Sequence, residues 1–167
     1  MEEIILATGT KEEKYESLFP QLEALWAGED DLIANMANTV AAIKQVFDFH
    51  WVGFYFVKES DLVLGPFQGP IACTRIPFGK GVCGKAWEEG QTILVPDVEL
   101  FPGHIACSAL SRSEIVVPVF GLQTGFVESL ESAASIIAVL DIDSAIVNDF
   151  DLTDKRWLEK ICQKMAS

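Results

Sequence analysis

The hydrophobic pattern of this chain changes period twice, and that change limits the folds open to it. In "DDLIANMANTVAAIKQVF" (30–47), Leu32, Met36, Val40, Ile43 and Phe47 recur at three- and four-residue spacings, and Asp30 or Asp31 stands where a carboxylate caps the first free amides. This is the pattern of an amphipathic helix. "KEEKYESLFPQLEALW" (11–26) also reads as helical, with Pro20 interrupting. At the other end, "DFDLTDKRWLEKICQKM" begins with Asp151 or Thr153 as a cap and sets Leu152, Trp157, Leu158 and Ile161 on one side of a closing helix. Between these ends the pattern turns aromatic and β-branched. "HWVGFYFVK" (50–58) and "DLVLGPFQG" (61–69) flank a Glu59-Ser60 turn as a β-hairpin, and "TRIPF" (74–78), "QTILVPDV" (91–98), "EIVVPVF" (114–120) and "ASIIAVLDIDS" (134–144) supply further strands. "GKGVCGKAWEEG" (79–90) is a glycine turn feeding a short helix that ends near Gly90, and "ELFPGHIACSALSRS" (99–113) is a loop with one helical turn. Helices at both termini around a strand-rich middle predict an α+β fold: a central antiparallel sheet with the N- and C-terminal helices packed on one face.

The 167 residues fit one domain, and 50% apolar residues can fill its core. Lys and Arg total 12 against 25 Asp and Glu, a net charge of −13, so the field around the chain repels a polyanion and argues against nucleic acid as a partner. Charges, prolines or glycines interrupt every apolar run before the roughly 18–20 residues that span a bilayer, which argues against a membrane protein. The N-terminal stretch has no basic segment followed by an apolar one, so the expected location is cytoplasmic. In that compartment four cysteines point to chemistry, metal binding or burial rather than to a fixed disulfide framework.

Three of the cysteines sit in glycine- or serine-rich segments. Cys107 has His104 three residues before it and Arg112 five after, the residue types that favour a thiolate nucleophile. Cys83 follows "GKGV" near a helix start, where helix amides and Lys80 would acidify it, and Cys73 stands close to Arg75. Cys162, beside Ile161 in the closing helix, reads as core filler. Cys73, Cys83, His104 and Cys107 are suitable zinc ligands, but only His104 and Cys107 form the close pair that structural zinc sites use, so no metal is expected. No C-x-x-C pair or phosphate-cradling glycine motif is present.

Carboxylates form a second constellation. Asp141 and Asp143 are two apart on one strand, hence on the same face, and Glu114 begins another strand. Two acids on an otherwise apolar strand either lie at its wet end or line a pocket that holds an ammonium and supplies a proton, because crowding raises a carboxyl pKa. Trp51 and Tyr55, from "HWVGFY", would give such a pocket aromatic walls, or they are simply core.

The combined segments "HWVGFYF", "LGPFQGPIACTRIPFGKGVCGKAW", "VPDVELFPGHIACSALSRSEIVVPVF" and "AVLDIDS" followed by "FDLTD" closely resemble the free methionine-(R)-sulfoxide reductases, a family built on a GAF-type domain. The resemblance runs from about residue 10 to the closing helix and includes cysteine spacings of ten and then twenty-four residues. It implies one GAF-like domain over residues 1–167 that reduces free methionine-(R)-sulfoxide to methionine without a cofactor. It further implies Cys107 as nucleophile, Cys73 as resolving thiol and Cys83 as an auxiliary one. Glu114, Asp141 and Asp143 would grip the substrate and assist loss of its oxygen, while Trp51 and Tyr55 enclose its methyl end. Thioredoxin would recycle the disulfide, and a homodimer is in keeping with the family. Two departures are an insertion at about 121–133 and Ala138 where a glycine is common; neither touches the expected catalytic set. The alternative class is a GAF domain that binds a small ligand or senses oxidant without turnover, for which three such thiols have no evident use.

Overall fold

The computed structural model describes residues 3–105, 108–121 and 135–167. Its first helix, α1 (Lys11–Trp26), begins in a reciprocal cap: the Thr10 hydroxyl accepts the Glu13 amide at 3.3 Å, and the Glu13 carboxylate accepts the Thr10 amide at 2.8 Å. The expected interruption at Pro20 does not occur. Pro20 lies on the exposed face, and burial of Leu18, Phe19 and Leu22 on either side outweighs the hydrogen bond that its ring removes. In α2 (Leu32–Phe47) the Asp31 carboxylate accepts the Ala34 amide at 3.0 Å, and Met36, Val40 and Ile43 are buried as their spacing requires.

Six strands follow: β1 (Trp51–Lys58), β2 (Asp61–Gln68), β3 (Arg75–Pro77), β4 (Ile93–Val95), β5 (Ser113–Gly121) and β6 (Ser135–Ser144). They form one sheet in the order β3-β2-β1-β6-β5-β4 with every pairing antiparallel. Strand β4 is the short strand with a proline stop that the sequence predicts, ending at Val95 before Pro96, and the helical turn expected in the next loop is a single 3-10 turn at Val98–Leu100. The short helix α3 (Gly81–Glu89) ends at Gly90 in the left-handed conformation, φ 67°. Helix α4 (Leu152–Met165) closes the chain. Of the expected 121–133 insertion only Gly121, the last residue of β5, lies within the described residues.

The alternation of side chains divides the sheet into two faces. Val52 and Phe54 of β1, Ile115, Val117 and Val119 of β5, and Ala138, Leu140 and Ile142 of β6 face α1, α2 and α4, forming the larger core. The terminal helices therefore share one face, as the sequence predicts. Ala138 is fully buried there, so its methyl group is packed in the core. Cys162 is a buried free thiol in the same core. Leu152 is 75% exposed, because at 3.6 residues per turn it lies on the side of α4 opposite Asp154 and Ile161, which face inward. Asp154 joins the ends of the chain: it is fully buried, accepts the Tyr15 hydroxyl at 2.9 Å and pairs with Lys11 at 2.6 Å.

On the opposite face Trp51, Tyr55, Val116 and Val139 pack beneath α3 with Ile76, Val82 and Cys83. Helix α3 comes this close because Gly84 has no side chain: a Cβ there would stand 2.6 Å from the Pro77 carbonyl oxygen. Among the described residues no helix is long and apolar enough to cross a membrane.

Gly53 on β1 serves the same purpose in the sheet. A Cβ at this position would meet the Trp51 ring at 2.3 Å and Phe67 Cβ at 2.6 Å. Gly53→Ala is expected to destabilise the protein by about 1–3 kcal/mol, the range for an overpacked interior, and to displace the Trp51 ring. Urea unfolding with tryptophan fluorescence checks both effects.

Candidate active site

Strand register brings the chemical residues to one face. In the β1–β6 pair Trp51 lies opposite Asp143, Gly53 opposite Asp141 and Tyr55 opposite Val139. In the β5–β6 pair Glu114 lies opposite Asp143, and Val116 opposite Asp141. Directly opposed residues point to the same side of a sheet, so Trp51, Tyr55, Glu114, Asp141 and Asp143 share the face beneath α3. Gly53, with no side chain, leaves its place on this face to the Trp51 ring. The aromatic wall is continuous: the Trp51 ring stacks on Tyr55 at 5.8 Å between centroids and on Phe67 at 5.5 Å. Trp51 Nε1 donates to the Pro70 carbonyl at 3.1 Å, and the Tyr55 hydroxyl donates to the Cys73 carbonyl at 3.0 Å. These two bonds hold the segment that carries Cys73 against the sheet.

Two small cavities meet at the aspartates. One, of about 30 Å³, is lined by Cys83, His104, Ser111, Glu114, Asp141 and Asp143 among others; the second, of about 20 Å³, lies between Trp51, Tyr55, Pro70, Ala72, Ser108 and the same two aspartates. Each has room for about one water. Asp141 Oδ1 is buried and has no hydrogen-bond partner among the described residues.

Burial dominates the electrostatics of this face. Desolvation, and then the charge of Asp143, push the Glu114 carboxyl well above the usual carboxylate range. Asp141 is pushed the same way by desolvation, then by Asp143 and Glu114. Asp143 rises less, to about 6: desolvation raises it, while a hydrogen bond to Ser111 and the nearby His104 hold it down. One side of the acid set thus favours the protonated form and the other favours ionisation near neutrality.

The cysteines differ from one another. Cys73 is disulfide-bonded and packs at the edge of the aromatic face, while Cys107 lies outside the described residues. The residues near Cys107 in sequence take separate directions. His104 Nε2 is 3.5 Å from Glu114 Oε2, and Ser108 Oγ is 2.9 Å from His50 Nε2. Arg112 is held by its backbone between Val98 and Ser144, and its buried Nε has no partner among the described residues. Arg75, expected near Cys73, is 61% exposed and pairs with Asp61.

Cys83 reverses its expected environment. Its thiol is a buried free one, 3.9 Å from Glu114 Oε1, and desolvation followed by the charges of Asp141 and Glu114 push its pKa well up. Lys80, whose charge was expected to acidify it, is exposed at the N-cap of α3. The third position of this helix faces inward, so carboxylates rather than cations surround the sulfur. Sequence reasoning missed Phe67, Ser111 and the His104–Glu114 contact. Phe67 was within reach of a register argument through Gly53, its partner across the β1–β2 pair; the other two depend on loop geometry.

Comparison with known proteins agrees with this arrangement. The GAF domain family matches residues 31–167. GAF domain-containing protein A of Dictyostelium discoideum is 53% identical over 161 residues, covering 96% of this chain and 95% of that protein. The free methionine-R-sulfoxide reductase of Escherichia coli is 43% identical over 156 residues, covering 93% and 88%. The X-ray structure of free methionine-R-sulfoxide reductase from Neisseria meningitidis in complex with its substrate is 46% identical, covers 99% of this chain and 93% of that one, and superposes with a TM-score of 0.87. By the match over residues 31–167 and the identity shared along nearly the whole chain with these reductases, the chain belongs to the GAF-domain family of free methionine-R-sulfoxide reductases.

Proposed function

We propose that this protein reduces free L-methionine-(R)-S-oxide to L-methionine at the face beneath α3. The observation that carries the proposal is the acid set, with buried carboxyls at Glu114 and Asp141 raised well above the usual range and a more readily ionised, half-buried one at Asp143, beside a segment that contains a disulfide-bonded cysteine. Its similarity to enzymes named for this reaction supports the same reading.

In the proposed mechanism the Cys107 thiolate attacks the sulfoxide sulfur while a carboxyl of the Glu114/Asp141 pair protonates the departing oxygen. The sulfoxide is reduced to the thioether, and Cys107 is oxidised to a sulfenic acid. The Cys73 thiol then attacks that sulfur, releasing water and forming the Cys73–Cys107 disulfide. Thioredoxin returns both thiols, and Cys83 is an auxiliary thiol that stays protonated among the acids. Asp143 holds the substrate ammonium as a carboxylate, and Trp51 and Tyr55 enclose the methyl end. A peptide-bound residue has an amide where the ammonium should be, which accounts for selection of the free amino acid. Cavities of 30 and 20 Å³ are too small for an amino acid, so binding requires the segments around Pro70–Ala72 and Ser108–Ser111 to move apart. We place the protein in the cytoplasm and assign it no nucleic-acid or membrane partner; a homodimer is the proposed assembly.

Oxidation of NADPH through thioredoxin reductase and thioredoxin tests the activity. Turnover is expected with the free R epimer and not with the S epimer or a peptide-bound form. Absence of turnover in folded, reduced protein supports ligand or redox sensing instead.

Two substitutions separate the roles of the thiols. Cys107→Ser is expected to abolish sulfoxide reduction, whereas Cys73→Ser retains a single turnover and loses thioredoxin-driven cycling. Quantifying methionine formed per enzyme, with and without thioredoxin, distinguishes them; full cycling in Cys73→Ser would move the resolving role to Cys83.

The acids give a pH dependence of definite sign. Below about pH 6 Asp143 gains a proton and loses its grip on the ammonium, so KM rises as pH falls through that value. Asp143→Asn is expected to raise KM at neutral pH and flatten this limb. Asp141→Asn or Glu114→Gln is expected to lower kcat by about 10²–10⁴, the usual cost of losing an acid catalyst. Steady-state kinetics from pH 5 to 9 check the assignment.

A further inference from the structure

The cavity under α3 gathers one soft donor and several hard ones. Cys83 Sγ, a Glu114 oxygen and an Asp141 oxygen lie within 4.8 Å of one another, and all three residues are buried. Cys83 Sγ is 3.9 Å from Glu114 Oε1, and His104 Nε2 is 3.5 Å from the other oxygen of the same carboxylate. Zinc bonds of about 2.3 Å to sulfur and 2.0 Å to oxygen place neighbouring donors of a tetrahedron roughly 3.3–3.6 Å apart. Small side-chain adjustments would therefore close these donors on one ion. Independently, Asp141 is only 7% exposed, lines the cavity and has an oxygen without a hydrogen-bond partner among the described residues. A cavity of about 30 Å³, with room for about one water, can admit an ion in its place.

We propose that Cys83, Glu114 and Asp141, with His104 as fourth donor, bind a thiophilic divalent metal ion of the zinc type, and that the bound ion occludes the substrate's ammonium subsite. On binding, the Cys83 thiol and the carboxyl of the Glu114/Asp141 pair that carries a proton both release their protons to solvent, and the thiolate and carboxylates form bonds to the metal with no change in oxidation state. A dication also offsets the charge of carboxylates that the protein otherwise buries at a cost. Magnesium, which requires a nearly octahedral set of oxygens, is disfavoured by the sulfur and by the small space. This set differs from the Cys73, Cys83, His104 and Cys107 combination that ligand spacing argues against. Its members come from α3, a loop and two strands, so tertiary packing rather than sequence spacing brings them together.

Metal binding stands on geometry alone, whereas occlusion of the substrate rests on the reductase reading. The protein in its disulfide form, with Cys73 unavailable as a thiol, is titrated with Co²⁺ and then with Zn²⁺ or Mg²⁺. The expected result is one Co²⁺ per chain with a near-ultraviolet thiolate-to-cobalt charge-transfer band, displaced by Zn²⁺ and unaffected by Mg²⁺. Cys83→Ala should remove the band, and Glu114→Gln should weaken binding at least tenfold. Absence of the band from folded wild-type protein, or its survival in Cys83→Ala, overturns the site; should Cys83→Ala fail to fold, unchanged affinity in Glu114→Gln does so. In the turnover assay Zn²⁺ should raise the apparent KM while kcat holds. A charge-transfer band without this competition overturns the occlusion alone, and a band in a protein with no sulfoxide turnover leaves the metal site standing while the reductase reading fails.

Discussion

The burial of Glu114 and Asp141 beside a half-buried Asp143, all on one face of the sheet, is the constraint to which the rest of this structure answers. An isolated ionised acid in such surroundings costs several kcal/mol, and neutral forms or favourable partners must relieve that cost. Glu114 and Asp141 respond with raised pKa values, while Asp143 keeps a hydrogen bond to Ser111 and the influence of His104. On the opposite side the buried acid Asp154 is relieved by its pairing with Lys11 and its hydrogen bond from Tyr15. The large core on that side, between the sheet and helices α1, α2 and α4, anchors strands β1, β5 and β6 strongly enough for the acidic face to be unfavourable locally.

That division explains why the molecule needs both terminal helices. Asp154 in α4 accepts the Tyr15 hydroxyl and pairs with Lys11, both from α1, so the first and last helices close over the same face. The supported strands fix the register that sets Trp51 and Glu114 on either side of Asp143. Displacing β6 by one residue would turn both aspartates into the apolar core, so the packing of one face protects the chemistry of the other.

Much of this was legible in the residues themselves. The three-to-four spacing in α2 and the two-residue spacing of Asp141 and Asp143 map directly onto a helix face and a strand face, and the order of helices and strands indicates the α+β class. Pro20 and Leu152 misled because each was judged by local pattern, whereas tertiary burial maintains α1 through the proline and Leu152 lies on the side of α4 away from its buried residues. Cys83 misled for a related reason. Its place near a helix start suggested a low pKa, but the inward direction of that helical position sets it among acids. Phe67 belongs to the aromatic wall only through strand register, and His104 meets Glu114 only through the path of its loop. The expected roles of Cys107 and the three acids were carried by resemblance to the reductase family, and their chemistry is the subject of the proposal.

The central claim is that a carboxyl of the Glu114/Asp141 pair keeps a proton at neutral pH beside the pocket. Titration of protein carrying ¹³C-labelled Asp and Glu carboxyl groups, followed by NMR, tests it most directly. The account predicts a carboxyl resonance that titrates well above the ordinary range and changes in Asp141→Asn, together with a second, from Asp143, titrating near 6. If every carboxyl titrates near its ordinary value of about 4, the acid set is ionised at neutral pH and cannot supply the proton that the mechanism requires.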